Sequence, residues 1–190
     1  MTTERKLKGI NFTGTLKALQ REYGDEAHQN VIAAVPGEAG EALQTRNILA
    51  SGWYPASWYN ALLRAIVAEV DGDKRTARAL SRDAVRADFQ TLFKIVRLFL
   101  SPEKAAQQGI RISSRYIDGG ELEVVDAKDG LLQVRMREYH GYSELMWWDF
   151  IGGVEGVLEN IGAEDLSSRV LAGGKDGDHH LEVVLRWRRV

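Results

Sequence analysis

Apolar residues in the first half of the chain recur every three or four positions, which is the spacing of amphipathic helices. The clearest stripe predicts a helix from Tyr59 to Val70, which Asp71-Gly72-Asp73 ends. Its apolar positions are Tyr59, Leu62, Leu63, Ile66, Val67 and Val70. A second long stripe predicts a helix from about Lys74 to Leu100, with Ser101-Pro102 at its end.

Three shorter helices are predicted upstream. The first contains the stripe from Phe12 to Tyr23 and is closed by Gly24. The second begins at Asp25, a residue suited to an N-cap, and is stopped by Pro36-Gly37. The third runs roughly from Glu38 to Leu49.

Near Ile110 the pattern changes to the two-residue alternation of β-strands. A strand is predicted from Ile110 to Tyr116. Leu122–Val124 and Leu132–Met136 then alternate on either side of Asp129-Gly130, which predicts a β-hairpin. Two more strands are predicted near the end of the chain, at about Leu166–Leu171 and Leu181–Trp187.

Helical spacing returns between these strands, from Tyr142 to Ile161. Gly152, Gly153 and Gly156 each disfavour this helix by about 1 kcal/mol relative to Ala, so a role in close approach to a sheet or to a ligand is expected. The elements together predict an α+β fold, in which a helical N-terminal half packs on an antiparallel sheet crossed by a C-terminal helix. We expect a single domain over residues 1–190, with a helical half at 1–109 and a strand-rich half with one long helix at 110–190.

Composition excludes several classes of function. The chain has 190 residues, 44% of them apolar and 27% charged, and a net charge of −2, which disfavours nucleic-acid binding. It contains no Cys, which excludes disulfides, a thiolate nucleophile and thiolate metal ligands. Its N-terminus lacks the apolar core of a signal peptide, and no apolar run approaches the ~20 residues that span a bilayer. The cytoplasm is therefore the expected location.

The unusual local feature is the segment from Gly52 to Tyr59, which holds two Trp and two Tyr around Pro55, a residue suited to a first helical turn. A second aromatic group surrounds the entry to the Tyr142–Ile161 helix. Either the rings are core whose polar atoms find partners, or the two groups face each other and line a pocket for an apolar ligand. The candidate lining residues are Trp53, Tyr54, Trp58, Tyr59, His140, Tyr142, Trp147 and Trp148. Within the first group, we expect Trp53 to be core and Trp58 to face the pocket.

No catalytic constellation is present in the sequence. His179-His180 suggests a metal site, but adjacent residues of a strand point to opposite faces, so a polar loop entering a strand is the preferred interpretation. His140 is the best single candidate for a haem ligand, acid or base, against the alternative of a hydrogen-bonded loop residue. Asp88 is interpreted as ion-paired, and Glu144 and Asp149 as solvated; the alternative for each is a pocket acid with a raised pKa. The chain is therefore expected not to be an enzyme.

Several features carry a resemblance to a known family. They are the Trp53-Tyr54-Pro55 stretch leading into Leu62-Leu63, the Asp71-Gly72-Asp73 break, the Ser101-Pro102 helix end, the helix with Gly153 to Gly162, and the strand closing on Leu185-Arg186-Trp187. In these the chain resembles an uncharacterised family of myxobacterial paralogues. That family is distantly similar to the superfamily of haem nitric-oxide sensors, 4-vinyl reductase domains and TRAPP trafficking subunits. The resemblance implies helices followed by an antiparallel sheet carrying a helix, and binding of small molecules or protein partners.

The resemblance leaves the cofactor unknown. The haem sensors use a proximal His on a helix and a Tyr-x-Ser-x-Arg signature, whereas this chain has the different order Ser113-Ser114-Arg115-Tyr116. His140 lies in a strand-to-helix turn, and the Cys positions typical of 4-vinyl reductase domains are missing. Haem is thus a candidate whose usual motif is not matched.

The leading hypothesis is a non-catalytic bacterial small-molecule-binding or sensory module, with an aromatic-lined pocket between helices and sheet. The alternative is a protein–protein interaction or scaffold protein, a homodimer or complex subunit, whose aromatics are core.

Overall fold

The computed structural model describes residues 4–92, 116–128 and 130–188, and side chains within these ranges except those of 88–92. Its N-terminal half is helical. Helix α1 (Gly9–Ala34) is kinked at Gly24, whose φ of 88° lies outside the helical region, and is followed by α2 (Gly37–Gln44), α3 (Ala56–Glu69) and α4 (Lys74–Leu92). None of the helices in the described ranges is both apolar enough and long enough to cross a bilayer.

A two-stranded antiparallel ladder lies beside the start of α1. It joins β1 (Lys6–Lys8) to β2 (Trp53–Pro55), with Leu7 opposite Tyr54. Because side chains alternate along a strand, Leu7 is buried while Trp53 lies on the other face. Trp53 is 40% exposed, and the Lys8 ammonium lies 4.6 Å from the centre of its ring.

Within the described residues, the C-terminal half forms a four-stranded antiparallel sheet. Strands β3 (Glu121–Lys128), β4 (Leu131–Arg137), β5 (Glu164–Gly173) and β6 (Leu181–Arg188) lie in the order β3-β4-β6-β5. The inner face is buried against α5 (Glu144–Asn160), the helix between β4 and β5. The buried residues of this inner face are Leu132, Val134, Met136, Leu181, Val183, Leu185 and Trp187.

Both edge strands of this sheet are irregular. The register of β3 shifts between Val124 and Asp126, and Val125 at the shift is 38% exposed. The register of β5 shifts twice, and Leu171 at the second shift is 41% exposed. These shifts are β-bulges, which add one unpaired residue to a strand and bend it.

Helices α4 and α5 pack unusually close together. A Cβ atom added at Gly152 would lie 2.0 Å from the carbonyl oxygen of Arg78, and one at Gly156 would lie 2.7 Å from that of Arg82. The two backbones therefore touch where both glycines face α4. Two ion pairs flank this contact: Arg78 with the fully buried Glu155, and Arg82 with Glu159.

The structure confirms the predicted α+β architecture. The break at Gly24, the helix that follows Pro55, the hairpin between β3 and β4, the helix within Tyr142–Ile161 and the two final strands all form where the pattern places them. The predicted strand over 110–116 and the end of the helix towards Leu100 lie outside the described residues, as does the side chain of Asp88.

Four local expectations need correction. Helix α2 ends at Gln44 and not near Leu49, because the chain turns back at Asn47 to meet Tyr54. Pro55 ends β2 and precedes α3, with an extended ψ of 143°. Trp53 is half exposed and is not core, because it projects from the outer face of a two-stranded ladder. The helix glycines approach helix α4 and not the sheet.

The contact between α4 and α5 makes a testable prediction. Gly152→Ala should lower the free energy of unfolding by about 2–3 kcal/mol, because the new methyl group meets rigid backbone. Gly153→Ala is the matched control: its Cβ would lie 3.4 Å from the Ser81 hydroxyl, so the gain in helix propensity of up to ~1 kcal/mol should remain. Urea denaturation of both variants measures the difference, and equal effects would contradict the close packing.

Candidate functional site

The structure separates the eight candidate lining residues into an interior group and a peripheral group. Tyr59, Tyr142 and Trp147 are buried. Tyr54, Trp58, His140 and Trp148 are half-buried, and Trp53 is exposed. The Trp148 ring lies under the Lys74 and Arg78 side chains, at 5.0 and 5.5 Å from its centre. Trp148 and Trp53 thus both lie beneath surface cations.

The first interior cluster joins α1 to α3. The Tyr59 ring contacts Phe12 edge to face, with centroids 5.0 Å apart, and Phe12 contacts Tyr54 at 5.7 Å. Trp58 stacks on Tyr54 at 5.8 Å. The Tyr54 hydroxyl accepts a hydrogen bond from the Leu49 amide and donates one to the Asn47 carbonyl, which fixes the loop before β2.

The second cluster lies between α5 and the sheet. Tyr142 contacts Trp147 with ring centroids 4.7 Å apart and Tyr139 at 5.2 Å. The Trp147 side chain is fully buried, and its indole nitrogen finds no hydrogen-bond partner among the described residues. An unpaired buried donor is costly in a folded protein, so this N–H is available to an acceptor that enters the cluster.

A chain of hydroxyl groups leads from α1 to α5 and ends at a carboxylate. The Tyr59 hydroxyl lies 2.7 Å from the Thr15 hydroxyl and donates a hydrogen bond of 2.9 Å to Oδ1 of Asp149. Because the Tyr59 proton goes to the carboxylate, Thr15 donates to the Tyr59 oxygen. Thr15 and Tyr59 are both buried, so this polar chain crosses the helical interior.

Asp149 has no countercharge in the described chain, because none of the ion pairs formed there includes the Asp149 carboxylate. Burial raises its pKa from the ordinary value of 3.8 to about 7, although the hydrogen bonds from Tyr59 and Ser81 act in the opposite direction. Burial and the nearby Asp149 also raise the pKa of the Tyr59 hydroxyl well above its ordinary value. The cluster therefore contains a carboxyl group able to gain or lose a proton near neutral pH.

Sequence reasoning gave this role of Asp149 only as the alternative. The preferred interpretation was a solvated carboxylate, and the alternative was a pocket acid with a raised pKa. A signal did exist, since Asp149 follows the buried Met146 by three positions and so lies on the same side of α5. What the pattern does not contain is its partner, because Tyr59 lies 90 positions earlier in the chain.

None of the four histidine rings belongs to either aromatic cluster. His140 Nε2 lies 3.0 Å from the Glu138 carboxylate, and its ring lies 4.3 Å from that of His179. His180 is exposed, and His28 lies half-buried on α1 beyond the kink. The described residues hold no group of three or more side chains that could bind a metal ion. His140 is therefore a hydrogen-bonded turn residue here.

No family model matches the sequence, and no curated protein is similar to it. Solved structures, however, match nearly its whole length. An H-NOX protein from K. algicida in the Fe(II) unliganded state is 13% identical, with a TM-score of 0.70 over 97% of this chain and 98% of that one. The chain has the H-NOX fold. An H-NOX protein from S. oneidensis in the Fe(II)NO state is 9% identical, with a TM-score of 0.72 over 96% of this chain and 100% of that one.

A third similar structure belongs to work on haem distortion in the H-NOX family. It is 15% identical, with a TM-score of 0.70 over 96% of each chain. These matches confirm the resemblance to haem nitric-oxide sensors at the level of fold. The resemblance to the myxobacterial paralogues stays a prediction.

Haem bound through histidine does not fit this H-NOX-like chain. None of the four histidines is buried, and three of them lie in the turns beside β4 and β6. Residues 93–115 contain no His, Cys or Met in their sequence. The protein therefore lacks an interior imidazole for an axial ligand.

The raised pKa of Asp149 makes stability depend on pH. The folded protein holds the Asp149 proton more tightly than the unfolded chain does. The stabilisation that this proton contributes is therefore full below about pH 4 and is lost as the pH rises to about 7. Asp149→Asn removes this dependence, so its stability relative to the wild type should rise by about 2 kcal/mol from acidic to neutral pH, after allowance for partial solvation. Urea denaturation at a series of pH values measures it. Asp83→Asn, which changes an exposed pair with Arg21, is the control and should follow the wild-type slope.

Proposed function

We propose that this chain is a small-molecule-binding sensory module of the H-NOX fold, whose ligand contacts the Tyr59–Asp149 cluster in place of histidine-bound haem. The ligand we propose is an aromatic or otherwise apolar molecule that carries one hydrogen-bonding group. The observation that carries this proposal is the uncompensated Asp149 carboxylate, linked to Tyr59 among buried aromatic rings.

The fold supports a sensory role by analogy. Proteins with this fold are described in ligand states such as Fe(II) unliganded and Fe(II)NO, so the scaffold accommodates small molecules in those proteins. At identities of 9–15% the likeness extends to the fold alone, and the functional site must be argued from this chain's own residues.

The chemistry of the cluster supports an apolar ligand with a polar group. Tyr142 and Trp147 offer apolar surface, while Asp149 and Tyr59 offer one acid and one hydroxyl. The unpaired indole N–H of Trp147 is a further donor. Binding sites of this kind combine mostly apolar walls with a few polar groups that orient the ligand.

The proposal predicts binding of the neutral fluorescent probe 1-aminoanthracene, whose amine can donate a hydrogen bond. Tyr59→Phe removes the hydroxyl group but keeps the ring, and should weaken binding about tenfold, the value of one hydrogen bond of ~1.4 kcal/mol. Tyr54→Phe is the matched control, because its hydroxyl bonds to the loop at Asn47 and Leu49. Fluorescence titration measures both affinities.

Native mass spectrometry and the absorption spectrum of the purified protein complete this test. We expect a bound organic molecule or the bare chain mass, without a haem absorption band. No probe binding, or equal losses in the two Tyr variants, would reject the Tyr59–Asp149 cluster as the binding site. A stable complex with histidine-bound haem would contradict the conclusion that haem bound through histidine does not fit this chain.

Protein interaction is the second candidate function, favoured by apolar residues exposed near one another. Leu49 is 65% exposed and Trp53 is 40% exposed. The segment between them is held to β1, because the Lys8 ammonium donates a hydrogen bond to the Ser51 carbonyl. Large apolar side chains exposed in one place are typical of contact surfaces. Sedimentation velocity across a concentration series, with Trp53→Ser as the variant, tests whether this surface mediates self-association.

A further inference from the structure

A groove opens on the surface beside the start of α5. It has a volume of about 470 Å³ and is bounded by the C-terminal half of α3, the starts of α4 and α5, and the loop between β5 and β6. Val67 and Leu145 form the apolar part of its lining. The remaining side chains that line it are charged.

The positive charges of the groove are unequal in their availability. Lys74 is engaged, since its ammonium lies 2.7 Å from the Glu144 carboxylate and also over the Trp148 ring. Arg64 also lines the groove, is exposed, and forms no ion pair with any side chain in the described ranges. Its guanidinium can therefore bind a carboxylate by donating two parallel hydrogen bonds.

Three carboxylates line the groove: Glu144 and Asp176 at the start of α5, and Asp73 before α4, which is paired with Arg75. Oδ1 of Asp176, from the β5–β6 loop, accepts the backbone N–H of Glu144 at 2.8 Å. That bond fixes Asp176 at the helix N-terminus and leaves its second oxygen free of any hydrogen bond within the described chain. Asp176 and Glu144 line the same groove as Arg64, together with the apolar Val67 and Leu145.

We propose that this groove binds a small zwitterion with an apolar body, namely an α-amino acid or a dipeptide. The carboxylate of the ligand would pair with Arg64, its ammonium group with Asp176, and its side chain would contact Val67 and Leu145. A ligand that carries only negative charge would meet two or more carboxylates, and one that carries only positive charge would meet Arg64 and Lys74. A zwitterion satisfies both signs of charge.

This site does not depend on the proposed interior site, because no residue that lines the groove belongs to the Tyr59–Asp149 cluster. If the groove binds no zwitterion, the binding of 1-aminoanthracene by the interior cluster is still expected. The converse also holds, so the two proposals can be rejected separately.

The test uses L-leucyl-L-leucine and two derivatives, each of which lacks one charge. Isothermal titration calorimetry should detect binding of the free dipeptide. The N-acetyl derivative loses the ammonium group and the C-terminal amide loses the carboxylate, and each should bind at least about tenfold more weakly. No binding of the dipeptide at millimolar concentration, or equal binding of either derivative, would overturn the proposal.

Substitution of the free cation provides the second measurement. Arg64→Gln should weaken dipeptide binding about tenfold or more, and Arg64→Lys should recover part of the loss because it keeps the charge. Arg21→Gln is the control, since Arg21 is paired with Asp83 and neither residue lines the groove. Circular dichroism verifies that each variant is folded. An unchanged affinity in Arg64→Gln would rule out Arg64 as the carboxylate partner and with it this mode of binding.

Discussion

The direct contact between the backbones of α4 and α5 is the constraint on which the rest of the described structure depends. Gly152 and Gly156 let the two helices touch, and no residue with a side chain fits at these positions without movement of backbone. The contact fixes the rotation of α5 about its axis. As a result, Trp147 and Ile151 face the interior, and Asp149 comes within reach of Tyr59 on α3.

Two acids of α5, the buried Glu155 and the half-buried Asp149, differ in how their charge is stabilised. Glu155 is wholly buried but pairs with the Arg78 guanidinium from the neighbouring helix, so its charge is balanced at short range. Asp149, less than two turns away, receives hydrogen bonds and has no cation beside it. One helix therefore carries a carboxylate paired with a cation and a second carboxylate, Asp149, whose raised pKa suits it to respond to a molecule that brings or removes a proton.

Sequence patterns predicted those elements that depend on local chemistry. The stripe from Tyr59 to Val70 and the Asp129-Gly130 turn each contain their own signal, and the helix and hairpin form there. The ladder of β1 and β2 escaped prediction because each strand has three residues, too few for an alternating pattern. Gly152 was correctly singled out, but its partner Arg78 lies 74 positions away, and no local rule identifies it. The link between Asp149 and Tyr59 was missed for the same reason, since its chemistry arises from contact between distant segments.

The bulges of the two edge strands bear on how this protein can associate. An edge strand with regular, unpaired N–H and C=O groups is a template for another strand, and leads to sheet extension or aggregation. Here β3 is interrupted at Val125 and β5 at Leu171, so neither edge offers a continuous row of pairing groups. The exposed apolar side chains at these two positions are thus the by-product of a protective feature. Edge-to-edge joining of sheets through β3 or β5 is accordingly disfavoured, and contact through helices or loops is the more favourable route to an oligomer.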